Sequence, residues 1–358
     1  PRYYSERRVA TKEASVPAGA FDEAIEQFGR CGPEFGPGLS NHGPMAAEAL
    51  VAMGREDAVL PWAQWYATRL EHPATTGRPI EREQWREALG DIRRAGDWTA
   101  FFTRELDGRP WADVLETWVA RLVPGIMAGA THGILRTAHA VRALDRDENP
   151  QRVAELAAGL AYWAARYQEL PSTQNGAPGG RRVEDALRDV TLVDRSTPRR
   201  GLIFEAVRAV EATDFGCVID AVDTTVAVDA FVSDVTRTFV RQYLANARHA
   251  SISFVHTVTA PSALRFLAPH LSEATTRAAM RYAWQACASI YATYGGADVP
   301  AIDAGAPLDA GDLADQAVAA RDEHAIKFTE ACLREHALSG DAAFIVAARD
   351  AVVRLRAE

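Results

Sequence analysis

The sequence predicts an all-α protein, a large helical domain built around a buried pocket. Three observations predict it. Seven long segments carry apolar residues at three- and four-residue spacing, the mark of a helix with one buried face. Alanine and arginine, both good helix formers, fill many of the remaining positions. Strand signals are confined to Ser251–Val258, a loosely alternating stretch that reads as a short extended piece or as part of a buried helix.

Taken in order, Pro1–Arg8 is polar and reads as a frayed end. Trp111–Val123 is the first long helix, and Pro124-Gly125 is a natural stop for it. Ile134–Leu144 and Val153–Leu170 follow. Pro171–Arg182, with Gly176, Pro178, Gly179 and Gly180, is the clearest linker. The chain therefore reads as one helical domain over residues 1–358, or as two helical halves joined near 171–182. The same linker could be a loop over a pocket. Thr225–Ala247 and Ala274–Tyr294 come next, with Ser272 placed as an N-cap. Tyr294–Gly311 is a second loop rich in Gly, Asp and Pro. Asp312–His336 and Ala342–Arg356 complete the set, with Gly340 suited to a helix C-terminus and Asp341 to an N-cap. No repeat with a period of tens of residues appears.

Bulk properties exclude several classes. The 358 residues are 48% apolar and 24% charged, enough for a sizeable core. The net charge of −9 argues against nucleic acid and anionic membrane, which reward a Lys/Arg surplus. It leaves a neutral aromatic small molecule open as the partner. The four cysteines, Cys31, Cys217, Cys287 and Cys332, show no CxxC spacing and fit a reducing cytoplasm. No basic-then-apolar leader and no 18-residue apolar run is visible, so a cytoplasmic protein without a transmembrane helix is expected.

Histidine is rare, nine in 358 residues, and several histidines sit in short, unusual contexts. Neutral imidazole is the commonest metal ligand. His42 lies in Asn41-His42-Gly43-Pro44, a turn that would aim its ring; the alternative is a capping turn with an exposed imidazole. His132 and His139 lie seven apart, about 10.5 Å along a continuous helix. One metal could touch both only if the rings lean together or Gly133 distorts the turn; otherwise one binds and the other supports it, or both are buried residues bonded to carbonyls. His256 has the apolar neighbours Phe254, Val255 and Val258 and could equally be a satisfied core histidine.

His324 and Lys327 lie three apart on one helical face. An ammonium is a poor ligand, but a buried lysine near a cation can be neutral and can add carbon dioxide to become a metal-binding carbamate. The alternative is a solvated charged face with Asp322, Glu323 and Glu330. His72, His249, His270 and His336 show no partner pattern.

Common signatures are missing. No histidine is followed two residues later by Asp or Glu, and none is preceded at three by Glu. HExxH, G-x-S-x-G and the dinucleotide fingerprint G-x-G-x-x-G do not occur.

Taken together, Ser40–Met45, Thr131–Arg142, Phe254–Thr259 and Asp322–Glu330 resemble the questin oxidase-like family, from roughly residue 20 to residue 350. The His-Gly-x-x-Arg-Thr-x-His and His-x-x-Lys segments are the most specific parts. The resemblance implies an all-helical fold and oxidative opening of a quinone ring in an aromatic, anthraquinone-like polyketide. It implies non-haem Fe(II) with dioxygen as co-substrate, the iron held by four histidines and a carboxylated lysine. Carried over, the lysine is Lys327 and the histidines come from His42, His132, His139, His256 and His324, five candidates for four places. His139 is the one set aside as a supporting residue, and Asn41 and Arg136 would be supporting or substrate groups. The rivals are an NADPH-dependent Baeyer–Villiger-type monooxygenase, a polyketide-binding helical protein without turnover, and a zinc hydrolase.

Overall fold

Capping chemistry divides the chain into its helices. The computed structural model describes residues 19–73, 77–173, 179–302 and 309–357. Pro1–Arg8 and part of each predicted loop, including Gly176 and Pro178, lie outside the described residues. The helices are α1 (Ala20–Gly29), α2 (Gly43–Ala52), α3 (Glu56–Ala67), α4 (Ala95–Leu106), α5 (Trp111–Leu122), α6 (His132–Arg146) and α7 (Pro150–Ala165). The short turns α8 (Val183–Leu187) and α9 (Ile203–Ala206) follow. Then come α10 (Val228–Leu267), α11 (Glu273–Tyr294), α12 (Ala310–Ala320), α13 (Glu323–Ser339) and α14 (Ala342–Arg354). The protein is 69% helical. Its two described strands, Glu34–Phe35 and Leu39–Ser40, form one small antiparallel hairpin. No helix among the described residues is long and apolar enough to cross a membrane.

Several boundaries follow the sequence reading. Ser272 Oγ accepts from the backbone N–H of Thr275 at 3.2 Å, and Asp341 accepts from that of Ala343 at 3.0 Å. Gly340 ends α13 with φ 68°, a conformation glycine adopts without steric cost.

Others differ, for identifiable reasons. The single helix expected over Asp312–His336 is two. Arg321 turns left-handed at φ 59°, and Asp322 then caps α13, accepting from His324 N and Ala325 N at 2.8 and 3.0 Å. The helix expected to run to Leu170 stops at Ala165. Ser251–Val258 is helical, and the helix expected to end at Ala247 continues to Leu267 across a break at Ala250 (φ −146°, ψ 35°).

The larger apolar cluster takes buried residues from Met45 to Leu355, on both sides of the 171–182 stretch, and encloses Trp98, Trp118, Trp163 and Trp284. A smaller cluster joins α1, α2 and α3. Helix α2 stands between the two, giving Met45 to the first and Ala46, Ala47, Ala49 and Leu50 to the second. Close approach of α6 and α7 depends on Gly133, where a Cβ would come within 2.7 Å of the Trp163 backbone.

Four helices close a ring. α2 packs on α6, α6 on α10, α10 on α13, and α13 back on α2. Each of these four helices contributes a predicted histidine, three of them at or beside the helix N-terminus.

Candidate metal centre

The ring brings four histidines together from distant parts of the chain. His42 is the N-cap residue of α2, His132 opens α6, and His324 is the second residue of α13. His256 projects from α10, six residues beyond the break at Ala250. All four are buried, with exposures of 3%, 5%, 8% and 1% for His42, His132, His324 and His256. Ring centroids are 4.4 Å apart for His42–His132, 4.6 Å for His42–His324 and 4.6 Å for His132–His256. One ligand nitrogen from each of His42, His132 and His324 falls within a 4.8 Å group. Lys327, one turn along α13 from His324, is buried at 2% exposure.

Hydrogen bonds hold the Nδ1 edge of His42, His132 and His256, while His324 Nδ1 lies 3.6 Å from Asp322 Oδ1. His132 Nδ1 donates to the Gly129 carbonyl, which can only accept, so the lone pair is on Nε2. His42 Nδ1 lies 3.5 Å from the Tyr66 hydroxyl and 4.0 Å from Glu323 Oε1. That carboxylate favours a proton on Nδ1 and again leaves Nε2 bare. His256 Nδ1 pairs with Thr131 Oγ1 at 3.3 Å. Four of the buried atoms without a hydrogen-bond partner belong to this cluster: His42 Nε2, His132 Nε2, His324 Nδ1 and Lys327 Nζ. Buried polar atoms are almost always paired, so four orphans at one place call for a missing partner. A cation accepting imidazole lone pairs fits them, and the buried histidine group could hold a metal ion.

The electrostatics agree. Burial, and then Lys327, holds His42 and His132 well below the usual histidine range. Burial and the neighbouring His132 and His324 do the same for His256. These rings are neutral at physiological pH, the form that binds metals. Burial pulls the Lys327 amine down to about 8, against the opposing pull of Glu323 and Asp322. The N-terminal ends of α2, α6 and α13 converge here, and their dipoles favour an anion beside the cation.

The backbone entering α6 is unusual. Gly129, Ala130 and Thr131 adopt φ of 53°, 58° and 71° in succession. A left-handed β-branched residue is costly and persists where the surroundings enforce it, often at functional sites. A Cβ on Gly129 would sit 2.5 Å from the Tyr162 hydroxyl, so only glycine fits there. This turn aims His132 inward and places the Thr131 hydroxyl on His256.

A cavity of about 320 Å³ opens onto the histidines. Leu39, Leu202, Phe204, Ile252 and Tyr294 give it apolar and aromatic walls, while Ser40 and Ser253 add hydroxyls. Such a lining suits a flat aromatic molecule.

The other predicted residues lie elsewhere. His139 Nδ1 bonds to Glu48 Oε2 at 2.7 Å, and its ring is not among those that meet at the cluster. Glu48 is fully buried and also holds Arg142 and Arg146. Arg136 is locked to Glu155 by bonds of 2.6 and 2.8 Å. Asn41 accepts from Gly43 N at 3.0 Å and donates to Gly32 O at 3.1 Å, fixing the turn that presents His42. Asn41 therefore stands as a supporting residue, and Arg136 is held in a buried ion pair. The solvated face around Lys327 is also overturned: Glu323 and Glu330 are buried, paired with Arg69, Arg142 and Arg334.

Tyr66, Glu323 and Thr131 orient the ring nitrogens without having stood out in the sequence. A tyrosine in an apolar helix and an acid beside a cap carry no local mark of such a role. Thr131 could have been noticed, since it precedes a His-Gly pair.

Comparison with known proteins adds one finding. The model of the family described as questin oxidase-like matches residues 39–332, which include all four clustered histidines and Lys327. No curated protein matches the chain.

Proposed function

The chain belongs to the questin oxidase-like family, and from that membership together with the histidine cluster we propose that it is a non-haem iron, dioxygen-dependent oxygenase that cleaves a quinone ring of an aromatic polyketide. The family fits an oxidoreductase acting on polyketide quinones. The observation that carries the finer reading is the set of orphaned, buried nitrogens on His42, His132 and His324, whose residues line one cavity, with the orphaned Lys327 Nζ one turn along from His324.

His42, His132, His256 and His324 would hold Fe(II), with carboxylated Lys327 completing the set. Bound iron would supply the one-electron chemistry that dioxygen needs to react with a closed-shell quinone. The protein's own residues do the rest. The Lys327 amine, with its pKa brought down to about 8, has a substantial neutral fraction near pH 7.5. Its lone pair adds to the carbon of carbon dioxide, one C–O π pair moves to oxygen, and the nitrogen releases a proton to solvent. The resulting carbamate is anionic and offsets part of the charge that four neutral imidazoles leave uncompensated. Tyr66, Glu323, Thr131 and the Gly129 carbonyl fix the ring orientations. The aromatic walls hold the polycycle flat and exclude water.

Elemental analysis of protein purified without added metal tests the reading. Near-stoichiometric iron, with quinone- and dioxygen-dependent turnover, supports it. Zinc points to a hydrolase, no metal to a binding protein, and NADPH-dependent turnover to a Baeyer–Villiger-type enzyme.

A further inference from the structure

A chain of hydrogen bonds runs from the cavity wall outward, and its direction is fixed from the outer end. Arg166 grips Glu34 with two bonds of 2.6 Å, so Glu34 is a carboxylate and can only accept. The Tyr162 hydroxyl donates its one proton to Glu34 Oε1 at 2.9 Å. Ser40 Oγ lies 2.6 Å from the same hydroxyl. Tyr162 has no second proton, so Ser40 must donate to it. Ser40 Oγ therefore has only lone pairs left to present, and Ser40 lines the cavity, two residues from His42.

The supports are rigid. Ser40 is 5% exposed and sits at the end of the hairpin, opposite Glu34. The Arg166 guanidinium also stacks on the cavity residue Phe204, 4.9 Å from its ring centre. Glycine at position 129 leaves room for the Tyr162 hydroxyl.

We propose that Ser40 is a specificity-determining residue that accepts a hydrogen bond from a phenolic hydroxyl of the substrate, with Tyr162 and Glu34 as positioning residues that set its polarity. The inference rests on the quinone reading of the cavity. It narrows the substrate class to polycycles with a free hydroxyl at the end held by Ser40. A methyl ether or a carbonyl placed there faces lone pairs with no proton between, a mismatch that a site built for a hydroxyl rejects.

The test is calorimetric binding to the metal-loaded, full-length protein under anaerobic conditions, so that turnover does not interfere. The probes are a dihydroxyanthraquinone, its monomethyl ether and the analogue with that hydroxyl replaced by hydrogen. Wild type is expected to bind the phenol about three- to tenfold more tightly than either analogue. Ser40→Ala should erase the preference. Tyr162→Phe is the more telling variant, because it adds no space at the cavity wall. It frees the Ser40 proton to turn inward, so the ether should gain affinity relative to the phenol. Lost packing alone would weaken all three probes alike. Equal affinities in wild type, or an unchanged preference in both variants, overturn the inference and leave the quinone reading standing. Binding of none of the probes overturns both.

Discussion

Thr131 Oγ1 lies 3.3 Å from Nδ1 of His256, joining two helices across 125 residues of sequence. The threonine reaches this position only by holding a left-handed backbone at φ 71°. The strain and the contact therefore belong to one device: a turn that aims His132 from its C-terminal side and braces His256 with its side chain.

Thr131→Val keeps the shape and the β-branch while removing the hydroxyl. We expect Fe(II) affinity to fall about tenfold, the lower end of what losing a ligand's hydrogen-bond partner costs. The denaturation midpoint of the metal-free protein should change little. Anaerobic Fe(II) titration reads the first and urea melts the second; unchanged affinity removes the hydroxyl from this role.

His139 and the clustered histidines should separate cleanly. His256→Ala and His324→Ala are expected to lose bound iron. His139→Ala should keep it, yet lose about 1–3 kcal/mol of stability, because buried Glu48 loses a partner. Metal analysis beside chemical denaturation of the three variants checks this, and full iron in both His256→Ala and His324→Ala would refute the assignment.

Lys327→Ala should lose metal and activity. Lys327→Arg should not restore them, since a guanidinium stays charged and offers no lone pair. Bicarbonate should restore iron binding to wild type brought back from mild acid, and carbon-13 NMR with labelled bicarbonate should show a carbamate signal absent from Lys327→Ala. Normal activity in Lys327→Arg would end the carbamate idea.

The metal-free protein should be acid-sensitive. His42, His132 and His256 are held below their ordinary value, chiefly by burial. The unfolded chain then takes up protons below pH ~6.5 that the folded chain refuses, so stability falls as pH drops, by about 1.4 kcal/mol per pH unit for each histidine. At the alkaline end Lys327 acts in the same direction. Its pKa of about 8 against an ordinary 10.5 means stability rises with pH between those values when no carbamate is present. Denaturant melts of stripped protein across pH 5–10 measure both slopes, and a flat profile between 6.5 and 5 would contradict the burial of neutral rings.

Much of this was legible in the chain. Gly and Pro beside His42 announced a turn that aims a ring. Helical spacing set His132 and His139 about two turns apart and made His139 the candidate set aside as a supporting residue. What stayed hidden depends on contacts across the fold. Glu323 and Glu330 look like a solvated face in sequence, because Arg69 and Arg142 reach them from distant parts of the chain. The break between α12 and α13 was masked by apolar spacing that continues through it, although Asp322 is a capping residue type. Tyr66 reaches His42 from 24 positions away, a relation no local pattern encodes.

The four clustered histidines span positions 42 to 324, and each comes from a different helix of the ring. A chain emerging from the ribosome N-terminus first holds three of them long before the fourth exists. The His324–Lys327 pair comes last, 68 residues after His256. Completion of the centre thus waits until all four helices have been made, and an ion captured there would reward only molecules in which they have packed together. Truncated or half-folded copies lack the donors to compete for it.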